Sequence, residues 1–166
     1  RPDARPGCDP GLSAPVTAIP GVVFAGAYDG HLRAYDAATG KVVWDKMILT
    51  VEGGNKGFTG APVIVKDMVV IGSNGGELSG CCGPIFAVDA KTGEVRWQFD
   101  TIGGDERSRS SWGNDSWKTG GGGGWMTGTY DEATNSVWWG TANPAPLEAN
   151  VAVAARGPLP DDVYAA

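Results

Sequence analysis

Few residues in this chain have both the type and the spacing for chemistry. Three cysteines and one histidine build no structural zinc site, because Cys8, Cys81, Cys82 and His31 fit none of its spacings. Adjacent Cα atoms lie about 3.8 Å apart, below the usual disulfide range of about 4.4–6.8 Å, so a Cys81–Cys82 bridge demands a distorted peptide. The alternative for that pair is two reduced small residues in a glycine turn. Oxygen and ring chemistry remain. Glu77 closes the run Ser73-Asn74-Gly75-Gly76-Glu77, Asn143 precedes Pro144, and Trp125 follows Gly120–Gly124. Taken singly, Glu77 reads as a solvated loop carboxylate and Asn143 as a turn start. Trp125 starts a strand and reads as core.

Charge and composition narrow the class. Thirteen Lys and Arg against nineteen Asp and Glu leave a net charge of -6, which repels a phosphate backbone and makes nucleic acid an unsuitable partner. No apolar run approaches the roughly 18 residues of a membrane helix, so no membrane span is expected. Twenty-seven glycines and eleven prolines in 166 residues interrupt every long helical period, and Gly costs about 1 kcal/mol in a helix interior. The chain is expected to be folded, turn-rich and all-β.

The elements that must carry these residues follow from the turn signals. Residues 1–20 contain five prolines and read as an irregular lead-in. Short strands start at Val22, with runs 22–27 and 31–36 flanking Tyr28-Asp29-Gly30, a hairpin signal that puts His31 on the surface. Ala34-Tyr35-Asp36-Ala37-Ala38-Thr39-Gly40-Lys41-Val42-Val43-Trp44 then recurs as Ala87-Val88-Asp89-Ala90-Lys91-Thr92-Gly93-Glu94-Val95-Arg96-Trp97. Each copy reads as two strands around a tight turn, with Asp capping it and Gly supplying a positive φ. Runs 61–66 and 68–73 lie between the copies, so one period holds four strands, the pattern of a β-propeller blade. Trp44 and Trp97 would pack between blades. Residues 101–124 read as a long loop, and 125–131 with 136–141 as the first two strands of a third blade, Trp138 and Trp139 pointing to opposite faces. From Leu147 to Ala166 the pattern is lost, which leaves about two and a half blades.

The paired repeats, with the stretches 60–77 and 115–146, resemble the pyrroloquinoline-quinone-dependent (quinoprotein) alcohol dehydrogenases of the methanol dehydrogenase type, over roughly residues 21–146. The resemblance implies part of an eight-bladed propeller holding the quinone (PQQ) and calcium or a lanthanide on its axis. It further implies a periplasmic enzyme that oxidises small alcohols by hydride transfer to the metal-polarised quinone and passes electrons to an acceptor such as a cytochrome c. Carried over by position, Thr59 matches a hydroxyl bonding a cofactor carboxylate, Trp125 the indole beneath the quinone, and Asn74, Gly75 and Gly76 the pocket lining. Glu77 and Asn143 match the carboxylate and amide ligands of the metal.

Three departures limit the carry-over. Gly123 stands where the family has a cofactor-bonding Thr, and Cys81-Cys82 falls after Glu77, whereas the family's Cys pair precedes the first repeat. The family's catalytic Asp base and pocket Arg would lie beyond Asn143, where Leu147–Ala166 offers nothing equivalent, so no catalytic residue is assigned. The chain is therefore expected to be an N-terminal piece, inactive alone. A different expectation from the same repeat is a scaffold that binds proteins and no quinone, as in outer-membrane assembly factors.

Overall fold

The computed structural model describes residues 14–50, 57–74, 83–103, 105–118 and 121–141. Strands β1 (Val16–Ile19), β2 (Val22–Gly26), β3 (His31–Asp36) and β4 (Val42–Met47) form one antiparallel sheet in sequential order. Strands β5 (Val63–Val65), β6 (Met68–Gly72), β7 (Ile85–Asp89) and β8 (Val95–Phe99) form a second, and β9 (Thr129–Asp131) with β10 (Ser136–Trp138) a two-stranded third. These are two complete blades and the first half of another, the all-β partial propeller expected from the repeat.

Three details depart from the sequence reading. The lead-in 1–20 contains β1, which pairs along its length with β2. Its prolines hid it, yet Pro15 and Pro20 bracket the strand without interrupting it. The expected loop 101–124 carries a helix, α1 (Glu106–Ser110), whose N-cap Asp105 accepts from the Ser108 amide, and a 3-10 turn at Gly113–Lys118. The third blade begins at Thr129, four residues later than the alternation suggested.

Local chemistry explains why the blades repeat. The Asp36 carboxylate accepts from the amides of Ala38 and Thr39 and from the Thr39 hydroxyl, while Asp89 accepts from the amides of Lys91 and Thr92. Gly40 and Gly93 close these turns at φ 69° and 73°, a region only glycine enters freely. Between β9 and β10 a third such turn appears, with Asp131 accepting from the Ala133 amide and Thr134 hydroxyl and Asn135 at φ 48° in the glycine's place. Both complete blades also carry a bulge at the same point: strand pairing shifts between Ala34 and Tyr35 and again between Ala87 and Val88. Val43 and Arg96 are the extra residues, and the added twist aims the neighbouring Trp off the sheet plane.

Packing runs from face to face. Every residue of β6 is buried. Val69 and Ile71 join Phe24, Leu32, Trp44 and Phe58 in the core between the first two blades, while Met68 and Val70 join Ile85, Ala87 and Trp139 in the next. The Trp44 indole donates to the Ala90 carbonyl at 3.1 Å, which ties the first blade to the second blade's turn. Glycines at the ends of β2 and β6 allow the approach. A Cβ on Gly26 would lie 2.6 Å from the Phe58 Cβ, and one on Gly72 2.0 Å from the Gly124 carbonyl oxygen.

Two outcomes follow for measurement. Urea denaturation of Gly72→Ala should show a loss of about 1–3 kcal/mol, the ordinary cost of overpacking. Gly140→Ala, which meets nothing within 4 Å, should stay within about 0.5 kcal/mol. The second outcome concerns pH. The Arg96 guanidinium, then the amides of Thr92 and Lys91, hold the Asp89 carboxyl down to about 2. A depressed folded-state pKa means that the unfolded chain binds the proton first, so this contribution is complete above about pH 4 and lost as pH falls toward 2. In acid titrations of urea stability, Asp89→Asn should flatten that decline and be less stable than the parent at pH 7.

Candidate functional site

The strap 57–60, between the first and second blades, organises the candidate site. Its Phe58 amide donates to the Ala27 carbonyl at 3.1 Å, and Phe58 bridges to Ser73 at the end of β6. Gly57 and Asn74 are joined twice, by the Gly57 amide to the Asn74 side-chain oxygen at 2.6 Å and by the Asn74 amide to the Gly57 carbonyl at 3.0 Å. Only glycine fits at 57, where a Cβ would sit 2.5 Å from the Tyr28 Cα. On the other side the Thr59 hydroxyl donates to the Trp125 carbonyl at 3.4 Å, and the Ala61 amide to the Thr127 hydroxyl at 2.8 Å. Thr59, Asn74 and Trp125, far apart in sequence, thus meet on one strap, and all three are half-buried.

Unused hydrogen-bonding capacity is found here. Among the described residues, the Ser73 hydroxyl and the Trp125 indole N–H, like that of Trp97 elsewhere, are buried without a partner, a state that costs about 1–3 kcal/mol per group. The Thr59 bond is at the long limit of a hydrogen bond. The half-buried Thr59 hydroxyl and Trp125 ring suit a flat ligand that carries oxygen acceptors. Ser73 was not among the residues singled out from sequence, although it heads the run that ends in Glu77. Gly75, Gly76, Glu77, Cys81, Cys82 and Asn143 lie outside the described residues. Among the described residues no group of three His, Cys, Asp or Glu side chains could hold a metal.

A charged network steadies the turn against which Gly57 packs. Arg33, only 8% exposed, donates to Asp29 at 2.8 Å and to Asp45 at 2.9 Å, and the His31 ring contacts Asp45. Burial alone would lower the Arg33 pKa, but the hydrogen bonds and charges of the two carboxylates outweigh it and raise the value. His31, expected on the surface, is half-buried in this network. Its acidic neighbours come from the turn before β3 and from β4, which spacing does not reveal.

Comparison with known proteins gives this geometry a context. Residues 45–149 match the family model for the β-propeller domain of glucose, ethanol and alcohol dehydrogenases. The chain is 37% identical over 153 residues to the quinohemoprotein alcohol dehydrogenase of Comamonas testosteroni, covering 84% of this chain and 22% of that one. Against methanol dehydrogenase [cytochrome c] subunit 1 of Methylorubrum extorquens the identity is 36%, over 76% of this chain and 23% of the relative. A solved europium-containing methanol dehydrogenase superposes with a TM-score of 0.71 at 31% identity, covering 84% of this chain and 27% of that one. The chain spans about a quarter of the length of the relatives it matches.

Arg33→Met should cost about 3 kcal/mol in urea denaturation, because it removes the charged partner of the largely buried Asp29 carboxylate while its bond from the His31 amide remains.

Proposed function

This chain belongs to the family of PQQ dehydrogenase β-propellers, and from that membership we propose that it forms part of the cofactor and metal site of a PQQ-dependent alcohol dehydrogenase. The observation that carries the proposal is the convergence of Thr59, Asn74 and Trp125 on the strap 57–60, beside the unsatisfied donors of Ser73 and Trp125. In this reading the Thr59 hydroxyl donates to a carboxylate of the quinone, the Trp125 indole lies against its plane, and Asn74, Gly75 and Gly76 line the pocket. Glu77 and Asn143 supply a carboxylate and an amide oxygen to calcium or a lanthanide, both hard cations that take oxygen ligands. When bound, the metal-polarised quinone supplies the hydride acceptor for a small alcohol.

These residues bind and orient; no base for the alcohol proton is assigned among them. The chain alone is therefore inactive in this reading, and turnover requires the remaining propeller, with a cytochrome c as electron acceptor in the periplasm.

Titration of the purified chain with PQQ and calcium, and separately with PQQ and lanthanum, tests the proposal through binding heat and tryptophan fluorescence. Saturable binding is expected, weakened about tenfold or more by Trp125→Ala and by Glu77→Ala, a loss of about 1.4 kcal/mol or more. No binding by the wild type would overturn it and favour a protein-binding scaffold. Ethanol and an artificial electron acceptor should give no turnover with the chain alone.

A further inference from the structure

Trp138 and Trp139 stand side by side at the end of β10, yet Trp138 is 38% exposed and Trp139 only 4%. The buried ring occupies a slot made by glycines. A Cβ on Gly128 would lie 2.1 Å from the Trp139 ring, and one on Gly72 3.0 Å from the same six-membered ring. The Trp139 indole N–H donates to the Gly124 carbonyl at 2.8 Å, a bond buried from water. Gly72 closes over that carbonyl as well, since a Cβ there would come within 2.0 Å of its oxygen.

The chain from Gly124 to Gly128 therefore touches this indole at both ends, and Trp125 lies on the arc between them. Its other side is held from the first blade's direction. The Thr59 hydroxyl donates to the Trp125 carbonyl, the Ala61 amide to the Thr127 hydroxyl, and a Cβ on Gly60 would lie 2.9 Å from the Trp125 oxygen. The Gly124 carbonyl and the Trp125 amide belong to one planar peptide unit, so a donor fixed on that oxygen fixes the peptide from which Trp125 springs. The run Gly120–Gly124 cannot hold that orientation by itself, because glycine restricts its own backbone least.

We propose that Trp139 is a positioning residue for the quinone: its indole N–H, by holding the Gly124 carbonyl, sets the direction in which Trp125 presents its ring. The proposal rests on the reading in which Trp125 lies against the quinone plane. It requires the N–H and not only the bulk of the side chain. Phenylalanine fills part of the slot without a donor, and tyrosine carries its hydroxyl at the far end of the ring. Loss of the donor leaves the buried Gly124 carbonyl short of a partner, and the glycine-rich peptide ahead of Trp125 is then free to turn.

The discriminating replacement is benzothienylalanine at position 139, which keeps the bicyclic outline and puts sulfur in place of the N–H. Trp139→Phe is a second variant, and Val70→Ala, in the same core cluster, controls for lost stability. In the chain without ligand, the Trp125 amide nitrogen resonance should move with both Trp139 replacements, because a hydrogen bond at the carbonyl polarises the shared peptide. With PQQ and calcium, both should weaken binding about fivefold to tenfold, the worth of one hydrogen bond, and alter the absorption of the bound quinone at saturation. Val70→Ala should leave the resonance, the affinity and the absorption as in the wild type. An unmoved Trp125 resonance, quinone binding indifferent to benzothienylalanine, or equal weakening by Val70→Ala would each overturn the proposal. A wild-type chain that binds no PQQ overturns the cofactor reading instead, and the resonance in the chain without ligand then decides by itself whether Trp139 positions Trp125.

Discussion

The face-to-face contact between successive sheets is the constraint on which the rest of this molecule depends. A two-sided blade has little interior of its own, so β6 buries all five residues only because one face meets Phe24, Leu32 and Trp44 and the other meets Trp139, with Tyr130 and Val137 packed beside it. Close approach requires the absence of side chains at Gly26 and Gly72, which end equivalent strands and face the incoming chain of the next blade. The strap 57–60 runs through that contact. It hydrogen-bonds to Ala27 behind it and to Asn74 after β6, lies paired opposite Ser73, and is followed by the Ala61 amide, which reaches forward to Thr127. The candidate site is thus set by blade packing, and a disturbance at Gly72 reaches Gly124 and, through it, Trp125.

Polar groups divide into those that shape turns and those that fill the site. Asp36 and Asp131 spend their carboxylates on threonine hydroxyls and backbone amides, and Asp89 on the Arg96 guanidinium and backbone amides, which holds each below the usual carboxylate range. Exposed pairs such as Lys118 with Asp115 contribute little in water. The Arg33 network differs, because Arg33 and Asp29 are largely buried, and it fixes the turn against which Gly57 packs. Against this background, the Ser73, Trp97 and Trp125 donors are buried without a partner among the described residues.

Legibility in the sequence followed the range of the interactions. The repeat was readable because Asp, Thr and Gly within five residues specify a turn by themselves, and alternating apolar residues specify a strand with a buried face. Strand β1 was missed because prolines at both ends look like loop composition, and α1 because five polar residues, Glu106–Ser110, carry no apolar period. Thr59 and Trp125 were singled out only through resemblance to a family. Nothing local shows that a hydroxyl and a carbonyl 66 residues apart will meet, and Ser73 reads as the ordinary polar end of the run 68–73.

From the sequence alone come the blade repeat, the turn type, the Asp caps and the glycine positions, because each is decided within one hairpin. Tertiary structure alone decided which tryptophan is satisfied. Trp44 and Trp97 share a motif and a bulge, yet among the described residues one indole finds a carbonyl and the other does not. The acceptor belongs to the neighbouring blade, and a hydrogen bond across an interface exists only when both sides of the interface are present.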